Sequence, residues 1–238
     1  MPFSRLLTTL LLAIAAGSAS AHEFWIEPTE SQLQVFLGEY ADNAREQSPG
    51  MLDKMTKPRA RLQSSTGHKP LDVTRSPTAL LIAQVPAQGE SVVFEETAYP
   101  LFDGEHDGKK VKAAWFPAAR YIADSGAQAP LLKLDIVPTA VDGEFAVSFA
   151  GKPLASAEVE IVMPAGWKRI VHTDAAGLIK PALPWQGSYL LAVSHTDASG
   201  GKLAGQRYRV AYYGTTLSLV RAAGLPALPA LPASKPTH

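Results

Sequence analysis

The stretch EFAVSFAGKPLASAEVEIV, residues 144–162, contains two runs in which apolar and polar side chains alternate. In the first run Phe145, Val147 and Phe149 fall on one face of an extended chain, because successive side chains of a strand point to opposite faces. Residues 157–162 repeat the alternation after a Gly-Lys-Pro-Leu turn. Two such runs joined by a turn predict neighbouring strands with one buried face.

The chain on both sides of this stretch carries a similar pattern. Residues 132–219 predict about seven strands with turn signals roughly every 8–12 residues, a spacing typical of a β-sandwich. Shorter alternating runs precede residues 124–130, which are rich in Gly, Ala and Pro and lack periodicity, as expected of a domain boundary. We therefore predict an all-β protein with two Ig-like β-sandwich domains, residues 22–125 and 131–221.

The first 21 residues have the features of a cleaved signal peptide. A short head carries Arg5, residues 6–16 form an apolar run, and Ala19-Ser20-Ala21 matches the A-x-A cleavage pattern. The apolar run is shorter than the roughly 20 residues that a spanning helix needs. We therefore expect cleavage before His22 and a mature protein that is periplasmic and not embedded in the membrane.

The C-terminal segment, residues 222–238, differs in composition from the rest of the chain. Proline recurs at every third position, at Pro226, Pro229 and Pro232. This spacing forbids a helix and favours an extended polyproline II conformation. We predict a Pro-rich disordered tail, and a docking segment for a partner protein is the alternative.

Composition excludes several classes of function. The 238 residues carry 22 Lys and Arg against 22 Asp and Glu, and this balance without a basic stripe argues against nucleic acid as a partner. Cysteine is absent, which excludes disulfides, thiolate metal ligands and cysteine nucleophiles. The sequence also lacks the nucleophile elbow, the H-E-x-x-H motif and Gly-rich phosphate loops. We therefore predict that the protein is not an enzyme and that any metal site uses histidines, carboxylates or the chain terminus.

Cleavage before His22 would create a chelating group. The new α-amine and the imidazole Nδ1 of the same residue can close a six-membered ring around a metal ion, and Cu(II) and Ni(II) favour such nitrogen donors. The alternative interpretation is that histidine is simply a permitted residue after the cleavage site.

Two other histidines are candidate metal ligands. His195 ends a predicted strand, and Asp197 follows two residues later, where a carboxylate could orient the imidazole. His106 lies among three carboxylates in the stretch DGEHDG, residues 103–108, which begins like a calcium loop but departs from that pattern at later positions. A polar hairpin tip is the alternative there. The predicted metal ligands are therefore His22, His195 and His106.

Residues 21–28, AHEFWIEP, resemble the mature start A-H-[DE]-F-W-[IL]-x-P of the DUF4198 family. Further stretches that resemble the family lie at residues 134–138, 151–155, 173–177, 185–190 and 195–197. The family groups periplasmic proteins described as components of nickel or cobalt uptake. The resemblance implies a transition-metal-binding protein with its N-terminal histidine as a ligand, and a membrane metal transporter as a candidate partner.

From these observations we expect a periplasmic protein that binds a metal ion, with nickel or cobalt favoured by the resemblance. Copper and zinc stay open because nitrogen and oxygen donors suit them as well. Two other functions also stay open. One is a structural or protein-binding envelope module, and the other is a copper oxygenase in which a further imidazole completes a histidine brace with His22.

Overall fold

The computed structural model describes residues 22–235, so the predicted signal peptide, residues 1–21, and the last three residues lie outside the described part of the chain. Among the described residues the regular elements are strands and two short 3-10 helices, Tyr40–Asp42 and Met51–Lys54. Within the same residues, no helix has the length and apolar character needed to cross a membrane. The predicted all-β class is confirmed.

A nine-stranded sheet, here called the central sheet, dominates residues 22–235. Its strands in spatial order are β15 (Lys168–His172), β14 (Glu158–Val162), β17 (Gly187–Asp197), β20 (Val210–Arg221), β10 (Lys109–Ile122), β8 (Ser91–Glu96), β4 (Pro58–Ser64) and β5 (Gly67–Leu71), and β9 (Phe102–His106) pairs with the start of β10. Strands β10 and β20 pair in parallel, beginning with Ala113 opposite Val210. The central sheet therefore continues through both predicted domains, residues 22–125 and 131–221.

Two smaller sheets pack on the central sheet. The N-terminal sheet contains β1 (Glu23–Pro28), β2 (Leu33–Glu39), β7 (Leu80–Ile82) and β6 (Thr74–Arg75) in that order, and β3 (Ala44–Arg45) also pairs with β2. The C-terminal sheet contains β11 (Leu134–Pro138), β12 (Phe145–Phe149) and β13 (Lys152–Pro153), and β16 (Leu178–Ile179) also pairs with β12. Strands β18 (Gly201–Leu203) and β19 (Gln206–Tyr208) form a separate hairpin.

The two smaller sheets cover opposite faces of the central sheet, as the alternation along β10 shows. Ala119 and Tyr121 are buried in a core shared with β1, β2 and β7, which we call the N-terminal core. Ala114 and Ile122 are buried in a core shared with β11, β12 and β17, which we call the C-terminal core. Side chains two residues apart lie on the same face of a strand, whereas odd and even positions lie on opposite faces. Strand β10 therefore contributes side chains to one core from each of its two faces.

A buried ion pair joins the two halves beside this junction. Arg120 of β10 and Asp135 of β11 are both fully buried, and the guanidinium contacts the carboxylate through Nε at 3.0 Å and Nη2 at 2.6 Å. Arg120 Nη1 also donates to Gln63 Oε1 on β4 and Ser91 Oγ on β8. The carboxylate accepts the backbone N–H of Leu131 as well. Full pairing of this kind offsets the cost of removing two charges from water.

The predicted Pro-rich tail is described over residues 222–235. This segment lies extended against the protein, and the backbone groups of Leu225, Leu231 and Ser234 form hydrogen bonds with other parts of the chain. Polyproline II leaves its backbone groups without internal hydrogen bonds, so they are available to neighbouring loops.

Replacing Asp135 with alanine is expected to lower the free energy of unfolding by about 3–5 kcal/mol, because it leaves the Arg120 guanidinium buried without its counter-ion. Urea unfolding followed by tryptophan fluorescence measures the change. The control is Asp103→Ala, which removes an exposed carboxylate 2.7 Å from Lys112 Nζ and should cost less than about 1 kcal/mol. Equal losses in the two variants would contradict the structural role assigned to the buried pair.

Candidate functional site

A groove of about 1070 Å³ lies on one face of the central sheet, beside the first described residue. The floor is formed by small or polar side chains of β17 and β20, including Ala192, Ser194 and Gly214. His22 and Glu23 lie at the groove together with the 3-10 helix Tyr40–Asp42. His22, the predicted first residue of the mature protein, is among the residues that line this groove.

Strand β1 holds the first described residue, His22, at this groove. One edge of β1 pairs with β2, and the other lies over β20, where Thr216 Oγ1 donates to the Phe24 carbonyl at 2.6 Å. The Ile26 N–H donates to Ser218 Oγ at 3.1 Å. Side-chain hydroxyls thus satisfy an edge that would otherwise leave buried backbone groups unpaired. Because His22 immediately precedes β1, these bonds fix its position relative to the central sheet.

The His22 imidazole contacts a carboxylate that the sequence analysis did not single out. His22 Nε2 lies 2.7 Å from Glu46 Oε1, and both side chains are largely buried. An ionised carboxylate only accepts hydrogen bonds, so Nε2 is the donor in this contact when Glu46 is charged. In a neutral imidazole that donates from Nε2, the lone pair is on Nδ1.

Glu46 is placed by the local path of the chain from β2 into β3. Its N–H donates to the Leu37 carbonyl at 2.8 Å, and Arg45, the residue before it, pairs with Gly38 of β2. Gly38 has φ +146°, and a Cβ at this position would collide with the Ala44 carbonyl oxygen. Glycine is therefore required for the close approach that brings Glu46 beside His22.

Carboxylates dominate the charged lining of the groove. The acidic lining residues are Glu23, Glu39, Asp42, Glu158 and Glu160. Lys168 is the basic lining residue, and its Nζ lies 3.4 Å from Glu160 Oε1. An excess of negative charge in a concave surface concentrates cations near it.

Glu23 has an altered pKa. The side chain is half-buried, and the loss of solvation raises the pKa of its carboxyl to about 8, with a smaller contribution from the nearby charge of Glu160. Lys168 acts in the opposite direction but does not cancel the effect of burial. The native protein therefore keeps a proton on Glu23 at pH values where an exposed glutamate has lost its proton.

His195 is among the residues that line the groove, and its ring packs toward the C-terminal sheet. It follows the alternation of Tyr189, Leu191 and Val193, which are buried in the C-terminal core. Its ring centroid is 4.2 Å from that of Phe149, on β12 of the C-terminal sheet. The contact with Phe149 orients the His195 ring, and its role as a ligand beside His22 stays a prediction.

His106 lies elsewhere again, at the end of β9 in the hairpin that leads into β10. Its Nε2 is 3.5 Å from Asp107 Oδ2, an exposed carboxylate. Within residues 22–235 no group of three or more histidine, cysteine, aspartate or glutamate side chains has the geometry to hold a metal ion. Of the three predicted ligands, His22 and His195 line the groove, and the His22 ring contacts the Glu46 carboxylate there.

Comparison with known proteins adds no further assignment. Neither a scan against protein-family models nor a search of curated proteins finds a match. The resemblance to the DUF4198 family therefore depends on the sequence motifs alone.

Replacing Glu23 with glutamine is expected to change how stability depends on pH. Between about pH 4.5 and about pH 8 the native carboxyl holds a proton that the unfolded chain has released, so this group lowers the free energy of unfolding as pH rises through that window. The variant loses this contribution, and its stability relative to the unmodified protein should rise from pH 5 to pH 8. Urea unfolding at several pH values measures the difference.

The matched control is Glu30→Gln, which changes an exposed carboxyl in the turn between β1 and β2. Its stability relative to the unmodified protein should stay nearly constant over the same pH range. A constant difference for the Glu23 variant as well would contradict the raised pKa.

Proposed function

We propose that the mature protein is a non-enzymatic, periplasmic transition-metal-binding protein that holds the ion at its N-terminal residue, His22. The observation that carries the proposal is the contact between His22 Nε2 and Glu46 Oε1 at the groove. The proposal also requires removal of residues 1–21, which the A-x-A pattern predicts.

The His22–Glu46 contact suits a chelating terminus. Once His22 is the first residue, its α-amine and its Nδ1 would both bind the metal. The five atoms from the amine nitrogen to Nδ1 would form a six-membered chelate ring with the metal ion. Metal-binding histidines commonly donate their other ring N–H to a carboxylate, which fixes the ring orientation and raises the basicity of the ligand nitrogen. Glu46 occupies the place of that carboxylate, so ring orientation and tautomer both favour Nδ1 as the ligand atom.

The charge of the groove supports a cationic ligand. Its carboxylates outnumber its basic side chains, so the field at the groove attracts divalent ions and raises their local concentration. Both nitrogen ligands of His22 must be deprotonated to bind, so affinity should decline as the pH falls into the acidic range. Oxygen donors from water or from a groove carboxylate would complete the coordination.

Within this proposal the ion is cargo, and the protein is an accessory to nickel or cobalt uptake that exchanges metal with a membrane transporter. The choice of nickel or cobalt follows the DUF4198 resemblance, whereas the donor atoms suit copper and zinc as well. We keep the two Ig-like β-sandwich units, residues 22–125 and 131–221, as part of the same proposal. The central sheet that joins them would hold the terminus in one position.

Titration calorimetry with Ni²⁺, Co²⁺, Cu²⁺ and Zn²⁺ tests the proposal, after mass spectrometry establishes His22 as the first residue. We expect one-to-one binding that weakens by about 100-fold in His22→Ala and in a chain with one extra alanine before His22, because each loses part of the chelate. Glu46→Gln should weaken binding by about tenfold. His68→Ala, an exposed histidine in the β4–β5 hairpin, is the control and should bind normally.

Three outcomes would overturn the proposal. Binding that survives both changes at the terminus would place the site elsewhere in the chain. Absence of binding to all four ions would favour a structural or protein-binding module. Copper- and ascorbate-dependent oxidation of a polysaccharide would identify an oxygenase.

A further inference from the structure

The C-terminal segment after β20 is fixed to the protein at three points. We call residues 222–235 the strap. At the first point the Leu225 N–H donates to the Pro184 carbonyl at 2.9 Å, and the Leu225 carbonyl accepts the Gln186 N–H at 2.8 Å. At the second point the Leu231 N–H donates to the Pro164 carbonyl at 2.8 Å. The Leu231 carbonyl also accepts Asn43 Nδ2 at 2.7 Å.

The third point adjoins the candidate site. The Ser234 N–H donates to the Asn43 carbonyl at 3.0 Å, and the Ser234 carbonyl accepts the Arg45 N–H at 2.9 Å. Ser234 is thereby bridged in parallel to Ala44, on the edge of β3 that β2 does not occupy. Glu46 follows Arg45 directly, so the strap is bonded to the residue before the one whose carboxylate contacts His22.

The anchoring residues of the strap are regularly spaced. Leu225, Leu231 and Ser234 are separated by multiples of three, and Leu228, which falls at the remaining position of the series, packs against the C-terminal core. In a polyproline II conformation, which the proline spacing predicts and which has three residues per turn, this period would place all four positions on one side. The prolines lie between these positions. Proline has no backbone N–H, but no anchoring hydrogen bond requires one there.

We propose that the strap is a positioning element for the His22–Glu46 pair. Strand β3 has only two residues and pairs with β2 on one side, so the strap supplies the hydrogen bonds of its other side. When the strap is docked, its hydrogen bonds to Asn43 and Arg45 fix the backbone that leads to Glu46. When it is detached, the Arg45 N–H and the Asn43 carbonyl lose their partners on the strap, and the backbone that carries Glu46 to His22 is held less firmly.

The strap buries little apolar surface, and Leu228 is its one half-buried residue. Leu225 and Leu231 are exposed, at 58% and 40% of their full surface, so few apolar contacts hold the segment. Regions with little buried apolar surface open at a much lower free energy than the whole fold. A local change in the strap is therefore expected to affect the site rather than global stability.

This inference deepens the proposed metal site, and its first readout needs no metal. Ser234→Pro removes the N–H that binds the Asn43 carbonyl, whereas Ser234→Ala keeps that N–H and is the matched control. In metal-free protein, hydrogen exchange should be faster at the Arg45 amide in Ser234→Pro alone. The ¹⁵N shifts of the His22 ring should show protonated Nε2 in the control and a mixture of tautomers in Ser234→Pro.

Calorimetry with Ni²⁺ is the second readout. Affinity should fall by about tenfold in Ser234→Pro, the size expected when the carboxylate on a metal-binding imidazole is displaced, and should be unchanged in Ser234→Ala. Faster exchange at Arg45 with an unchanged His22 tautomer would overturn the inference and leave the strap a purely structural element. Absence of Ni²⁺ binding in every variant would overturn the proposed function, while the tautomer measurement would still decide the role of the strap.

Discussion

The parallel pairing of β10 with β20 joins the two halves of the chain in one sheet. Strand β10 comes from the first half and β20 from the end of the second, and their pairing makes the central sheet continuous. Each smaller sheet can then cover only part of one face, because the two cores lie on opposite sides of β10. Arg120 and Asp135 neutralise each other's charge where the halves meet, so both charges can be buried away from water.

This arrangement leaves a stretch of sheet face uncovered where the N-terminal sheet ends. The groove forms there, and β1 reaches it because hydroxyls of Thr216 and Ser218 replace a neighbouring strand along its free edge. Small side chains on β17 and β20 leave the groove its depth, and carboxylates line its sides. The position of His22 is thus a consequence of how β1 rests on β20, and Glu46 reaches its ring only because Gly38 lets β2 and β3 come close.

Local alternation made the all-β class predictable. The features that the sequence did not predict are those that no local alternation encodes. Strand β12 alternates because only one of its faces meets a core, whereas Phe24, Trp25 and Ile26 of β1 are all buried, with Trp25 in a different cluster from its neighbours. The His22–Glu46 contact joins residues 24 positions apart through the pairing of β2 and β3, which no local pattern encodes. The proline period predicts the extended form of the strap but not its docking, because the partners belong to distant loops.

The parallel β10–β20 pair also constrains the order in which the fold can form. Its partner residues, such as Ala113 and Val210, are roughly a hundred residues apart, and contacts of such long range close slowly. Chains emerge with the N-terminal part first, so the edge of β10 stays unpaired until almost the whole sequence is present. Unpaired edges invite pairing with other chains. The last strand therefore acts as the closing step for the whole protein, and a chain that stops before Val210 would lack a partner for its own central strand.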